Sequence, residues 1–303
     1  MILGAIVGAT ASGKTSLAVS LAKLLDCEII SVDSRQIYKN MEIGTAQPTV
    51  SELCEVKHHL INFVSPTVQY NVGHFLEFIR AKHIEKRRYL LVGGTGFYIK
   101  AIVDGVSSIP DISEDVKLKV NKYWVELGED GFREKLDELD ASASKRIFKN
   151  NGYKLKRALE VCLETGKSYS SFNDKKTPII PNLKILGLDW PREALYQRIN
   201  ERTPLMVAGG WMEEAEELMK LYPEGCLGLN TLGYPEIVKV LKGEIVLQNA
   251  VDLIAQSTRR LAKRQLTFFR NQFAVYWVSA VKTDLLLKDA FCYFSNENFI
   301  RKN

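Results

Sequence analysis

The 303-residue chain has no low-complexity tract, no internal repeat and no apolar run of membrane length. Those absences exclude fibrous, solenoid and membrane-spanning classes. The first apolar run, Ile2–Val7, is too short to cross a bilayer, and it reads as a first strand rather than a signal peptide. Cysteine is sparse and unpaired in sequence. Cys27, Cys54, Cys162, Cys226 and Cys292 form no C-x-x-C motif, and their odd number argues against a full disulfide framework. A reduced, cytoplasmic chain is expected. Histidine is scarcer still, and the adjacent His58-His59 lacks the spacing of a metal pair, so packing or surface roles are expected. No strong charge bias exists either. A net charge of +5 permits a nucleic-acid partner without demanding one. The remaining composition, 46% hydrophobic and 25% charged, suits one large or two modest globular domains.

What is present begins with Gly8-Ala9-Thr10-Ala11-Ser12-Gly13-Lys14-Thr15, set between the apolar run and a helix-periodic segment from Ser16 to Leu25. A G-x-x-x-x-G-K-[ST] stretch between strand and helix is a phosphate cradle. Its glycines turn backbone N–H groups inward, and the helix N-terminus adds partial positive charge. Lys14 would reach terminal phosphate oxygens, and the Thr15 hydroxyl would ligate Mg²⁺.

A second strand, Cys27–Val32, ends at Asp33-Ser34-Arg35-Gln36-Ile37-Tyr38. Ligands of open parallel sheets bind beyond the carboxyl ends of strands, which sets Asp33 beside the phosphate loop. Its carboxylate could hold Mg²⁺ through water, act as a general base, or cap a helix. Arg35 and Gln36 have the chemistry for a phosphate and a base edge. Helix signals cover Gly73–Arg87. A third strand, Tyr89–Val92, runs into Gly93-Gly94-Thr95-Gly96, which aims a hydroxyl at the same edge or simply allows close packing. From residue 112 to residue 181 strand signals vanish and charged helical segments take over, with Lys117, Lys119, Lys154, Lys156 and Arg157 as basic stripes. The strand Asn182–Asp189 then opens a helix carrying Arg198 and Arg202 on one face, which could clamp phosphate oxygens or form surface ion pairs. Gly209-Gly210-Trp211 is expected to break the chain. The segment Leu253–Phe269 is a long basic helix with interleaved phenylalanines, suited to a phosphate backbone and stacked bases, and Val275–Val278 is a last strand. The expected fold is α/β, a P-loop parallel sheet flanked by helices (1–111 and 182–303) with a small inserted helical domain (112–181).

These motifs, with Ile43-Gly44-Thr45-Ala46, Arg157-Ala158-Leu159-Glu160, Leu232-Gly233-Tyr234 and Lys263-Arg264-Gln265, resemble in order those of the tRNA dimethylallyltransferase family. The resemblance implies prenyl transfer from dimethylallyl diphosphate to N6 of adenosine 37, beside the anticodon, by a Mg²⁺-dependent monomer with no membrane partner. It implies that Gly8, Thr10–Thr15 (Thr10, Ala11, Ser12, Gly13, Lys14, Thr15) and Arg202 hold the diphosphate, with Arg198 as the alternative arginine. Asp33 would be the base, Thr95 an assisting hydroxyl, and Arg202 would help stabilise the departing diphosphate. Asp33, Ser34, Arg35, Gln36, Thr95, Lys117, Lys154, Arg157, Leu232, Gly233, Tyr234, Lys263 and Arg264 would contact the tRNA anticodon stem-loop. The chain departs from the family at Ala9, at Phe148-Lys149-Asn150-Asn151, at Lys154 and at Phe268, and its end near residue 303 implies a bacterial-type enzyme without a zinc-finger extension. Three rivals stand beside this reading: an ATP-dependent small-molecule kinase, a prenyltransferase acting on free adenine nucleotides, and a non-catalytic RNA binder switched by nucleotide.

Overall fold

The computed structural model describes residues 1–107, 109–149, 151–172, 176–281 and 283–295. Asn150, one of the departures, lies outside the described residues. The chain forms two compact units, 1–103 with 180–303, and 104–179. The second begins eight residues before the expected insertion, because the chain leaves helical geometry at Gly105 (φ +76°).

The larger unit is an all-parallel sheet. Its described strands are β1 (Ile2–Gly8), β2 (Glu28–Ser31), β3 (His58–His59), β4 (Tyr89–Gly93), β5 (Ile185–Asp189) and β6 (Tyr276–Ser279), in the order β3-β2-β4-β1-β5-β6. The apolar runs at β1, β4 and β5 are continuous because helices cover both faces, and Ile6, Leu90 and Leu186 are fully buried. The two-residue β3 has no apolar run to announce it. It is held by His59, whose Nε2 meets Glu28 Oε2 at 2.6 Å.

The helices of this unit are α1 (Lys14–Leu25), α2 (Val50–Glu55), α3 (Val72–Ile84) and α4 (Gly96–Asp104) before the insertion. The insertion contributes α5 (Glu114–Arg146) and α6 (Gly152–Thr165). Then come α7 (Arg192–Met206), α8 (Met212–Leu221), α9 (Tyr234–Leu241), α10 (Leu247–Gln272) and α11 (Thr283–Ser295). None of the described helices is long and apolar enough to cross a membrane. Cys27 and Cys162 are buried and unpaired, whereas Cys54 is exposed.

The expected break at Gly209-Gly210-Trp211 is a kink: Gly210, at φ +102°, leaves helical geometry inside the π-helical turn Val207–Trp211 that separates α7 from α8, and the buried Trp211 side chain anchors that turn. Along α5 the backbone leaves helical geometry at Gly128 and Asp140, so the insertion's first stretch is a series of separate helical segments, as expected. The Asp140 carboxylate restarts the helix by accepting the Ala143 N–H at 2.9 Å, and Ser170 donates to it as well. The insertion has its own apolar core, in which Val120, Phe132, Leu136, Leu155 and Leu159 are completely buried.

Candidate active site

β1 ends at Gly8 and α1 begins at Lys14, so the intervening loop sits at the carboxyl edge of the sheet. Gly13 is the N-cap with φ +88°, a conformation open to glycine, and no side chain caps the helix. The first amides of α1 therefore keep their hydrogen-bonding capacity for an anion. The loop is fixed from outside by three side chains. Trp190 Nε1 donates to Ser12 O at 2.9 Å, Arg198 Nε donates to Ala11 O at 2.9 Å, and Thr10 N–H donates to Gln265 Oε1 at 2.9 Å. Thr10, expected in the diphosphate cradle, has thus committed its amide to α10.

The loop faces a cavity of about 470 Å³ lined by Lys14, Thr15, Asp33, Gly94, Arg202 and Gln265, among others. Lys14 Nζ donates to Ala9 O at 2.6 Å. Burial pushes its ammonium down to about 8, against the opposing pull of Asp33, and the Arg202 cation lowers it further. Burial also lowers Arg202, with Arg198 adding repulsion and Asp33 opposing it. Two arginines one helical turn apart thus differ in employment. Arg198 braces the loop and stacks on Trp190, 4.6 Å from the ring centroid. Arg202, half-buried, makes no hydrogen bond among the described residues and lines the cavity, placed to meet an anion.

Asp33 follows β2. Its Oδ1 accepts the N–H groups of Arg35 (2.9 Å) and Gln36 (3.4 Å), which orients the carboxylate. Ser34 N–H donates to Thr95 Oγ1 at 3.1 Å, and Thr95 N–H donates to Val32 O at 3.1 Å, so the β2 and β4 turns are stitched together. The Thr95 hydroxyl proton remains available to donate. Gln36, expected at a base edge, is spent internally: its Oε1 accepts from Ser31 Oγ and its Nε2 donates to Ala46 O.

Of Leu232-Gly233-Tyr234, expected at the tRNA, Gly233 and Tyr234 are buried. Tyr234 is fully buried, packs edge-to-face on Trp211 and donates to Glu214 Oε1 at 2.7 Å. Gly233 presses on Trp211 with no room for a Cβ. The same Glu214 carboxylate accepts the N–H groups of Ile43 and Gly44 at 2.7 and 2.9 Å. Tyr234 therefore holds the Ile43–Ala46 loop from behind through Glu214, whereas Leu232 is partly exposed. Desolvation raises the buried Glu214 carboxyl above its ordinary range.

On α10, Lys263 and Arg264 are exposed and, with Arg260, have no ion-pair partner among the described residues. They line a shallow groove with Thr267 and Phe268. Arg270 behaves differently. It pairs with Asp189 at 2.8 Å over the Trp277 ring, fastening α10 to the end of β5. In the insertion, Lys117 pairs with Glu114 at 2.6 Å and Arg157 with Glu160 at 3.3 Å, whereas Lys154 is exposed and has no ion-pair partner among the described residues. Sequence reasoning passed over Gln265 and Trp190 as site residues. Gln265 was visible inside Lys263-Arg264-Gln265, but a neutral amide between two cations gives no sign of pointing the opposite way.

A glycine loop at a helix N-terminus with a carboxylate facing two cations defines a phosphate-binding α/β protein. The comparisons with known proteins narrow it. The IPP transferase family profile matches residues 36–272, and the isopentenyl transferase profile matches residues 1–65. The tRNA dimethylallyltransferase of Christiangramia forsetii is 42% identical, over 90% of this chain and 91% of its own. Its namesake, tRNA dimethylallyltransferase 2 of Geotalea daltonii, is 39% identical over 91% and 87%. Among solved structures, the Bacillus halodurans tRNA isopentenylpyrophosphate transferase aligns with a TM-score of 0.69 at 35% identity, covering 97% of this chain and 95% of that one. A eukaryotic dimethylallyltransferase acting on tRNA shares the fold at a TM-score of 0.81 and 22% identity, over 100% of this chain and 81% of that one. The chain belongs to the IPP transferase family.

Proposed function

We propose that the chain transfers a dimethylallyl group from dimethylallyl diphosphate to N6 of adenosine 37 in tRNA, releasing diphosphate. The observation that carries this reading is the cavity in which Asp33 opposes Lys14 and Arg202. An exocyclic adenine amine is a weak nucleophile because its lone pair is delocalised into the ring. As the N6–C1 bond forms and the C1–O bond breaks, the Asp33 carboxylate takes the N6 proton. The bonding electrons leave on diphosphate, whose growing charge the α1 amides, Lys14 and Arg202 stabilise. The Thr95 hydroxyl, held against the Asp33 turn, donates to the acceptor side. Arg202 is favoured over Arg198 as the diphosphate arginine because Arg198 is already occupied by the loop.

Magnesium fits the donor set in one form. No group of three His, Cys, Asp or Glu side chains that could hold a metal exists among the described residues. Thr15 lines the cavity with a hydroxyl that has no partner among them. Thr15 and the substrate's own phosphate oxygens would hold the ion, as Mg²⁺ sites commonly do. When bound it neutralises leaving-group charge. The target base must leave its stack to reach Asp33, and the exposed cations of α10 and of the insertion suit the surrounding anticodon stem-loop.

Labelled dimethylallyl diphosphate is incubated with an anticodon stem-loop, with AMP, or with no acceptor. The reading expects label on the stem-loop alone. Label on AMP transfers the activity to free nucleotides, and phosphoryl transfer from ATP to a small molecule would replace it with a kinase.

A further inference from the structure

Gln265 joins the two halves of the site. Its Oε1 accepts the Thr10 N–H of the phosphate loop at 2.9 Å, and its Nε2 donates to Gly94 O at 3.1 Å, one residue before Thr95. The orientation is forced, because a backbone N–H can only donate and a carbonyl can only accept. A flipped amide fails at both ends. Glutamate would set an oxygen against Gly94 O, and methionine makes neither bond. Gly94 lies against the Gln265 amide too closely to admit a Cβ, so the glycine and the glutamine are fitted to each other. Gly96 fits Phe268, one helical turn further along α10, in the same way.

The rest of α10 gives this bridge a direction. The helix turns Gln265 inward to the cavity and turns Arg260, Lys263, Arg264 and Thr267 outward to a basic groove. One rigid helix therefore touches the phosphate loop, the Thr95 turn and the solvent-facing cations at once. Coupling of this kind needs an element whose position both ligands bias.

We propose that Gln265 is a positioning residue that holds the leaving-group loop and the acceptor-side turn in register, and that RNA seated on the outer face of α10 tightens the phosphate loop through it. The tightening rests on the acceptor being RNA; the bridge itself does not. In the reaction Gln265 exchanges no proton and forms no bond to carbon. It fixes the distance over which C1 must pass from diphosphate to N6, a quantity on which rate depends steeply.

Gln265→Met keeps the side-chain volume and removes both hydrogen bonds, and Gln265→Ala repeats the test without the longer side chain. The readouts are steady-state transfer and hydrogen exchange over residues 8–15 and 93–98. With inorganic diphosphate alone, the wild type gains protection in both segments together, and Gln265→Met loses that joint protection while residues 247–260 exchange as before. With an anticodon stem-loop, protection of residues 8–15 rises further in the wild type and not in the variant. In transfer, kcat falls at least tenfold while the KM for RNA moves less than twofold. Unchanged kcat and unchanged joint protection overturn the bridge. Equal RNA-induced protection of residues 8–15 in both proteins overturns the coupling. The diphosphate arm is read without RNA, so the bridge is judged even where the wild type transfers nothing to the stem-loop, the result that defeats the proposed acceptor instead.

Discussion

The two units spend their polar residues in opposite ways. Around the cavity, the groups that frame it are held by others, Asp33 by two amides, Thr95 by Ser34, Gln36 by Ser31 and Ala46, Thr10 by Gln265, while Arg202 and the Ser12 and Thr15 hydroxyls have no hydrogen-bond partner among the described residues. In the insertion, position is set by an apolar core of Phe132, Leu136, Leu155 and their neighbours together with the Arg133 and Asp140 hydrogen bonds, and Lys154 is left exposed without an ion-pair partner among the described residues. Making and breaking bonds requires groups fixed to a fraction of an ångström. Attraction to a phosphate chain requires only charge of the right sign within about a Debye length, roughly 8–10 Å. Substitution should therefore be costly in one unit and graded in the other.

Asp33→Ala tests the costly end. Removing the base should lower kcat about a thousandfold, within the usual range for general acid–base catalysis. Diphosphate affinity should hold within severalfold, since Asp33 faces the anion and does not bind it. Single-turnover transfer and diphosphate binding separate the two, and a turnover near wild type would remove Asp33 from the role. The arginines divide next. Arg202→Ala should cost about a hundredfold in kcat, the scale of one lost donor to a developing anion. Arg198→Ala should cost less, and should act by releasing Ala11 and the Trp190 stack, seen as faster exchange in the phosphate loop. Equal losses from the two would mean that Arg198 also reaches the substrate.

Lys14 gives the same unit a pH signature. Its folded value is pushed down to about 8, so the ammonium carries an energetic cost that is present below that pH and is lost as pH rises. A bound diphosphate needs the protonated form and offsets the cost. The kcat/KM for the donor should be flat below pH 8 and fall by up to about tenfold per unit above it, as one required proton is lost. Lys14→Arg, whose cation persists at every relevant pH, should flatten the descending limb even where it lowers the plateau.

Much of the held unit was legible in the chain, because its constraints are local and written in specific letters. The apolar runs placed β1, β4 and β5, and the glycine loop followed by Lys14-Thr15 set the cavity edge. What escaped was either too short to have a pattern or determined by distant partners. The two residues of β3 depend on Glu28, thirty-one positions away from His59. Tyr234 carried no mark of facing Glu214 rather than RNA. Gly209-Gly210 marked the kink between α7 and α8, but the burial of Trp211 that fixes the turn is a tertiary effect. The inward turn of Gln265 is of the same kind, set by helix phase against two loops more than 170 residues away.

The insertion supplies the smallest effect and the sharpest contrast. Lys154 and Arg157 share one face of α6, but Arg157 already pairs with Glu160 on its own helix whereas Lys154 is exposed. An unpaired cation is the one with charge to lend to a phosphate. Lys154→Ala should weaken RNA binding only severalfold at moderate salt and reduce the slope of log affinity against log salt by about one, the signature of a single phosphate contact. The kcat at saturating RNA should not move. Arg157→Ala should change the slope less, since Glu160 competes with RNA for its guanidinium. RNA titrations at several salt concentrations measure both. A drop in kcat for Lys154→Ala would erase the division drawn between the units, because it would show an exposed cation of the insertion taking part in the chemistry.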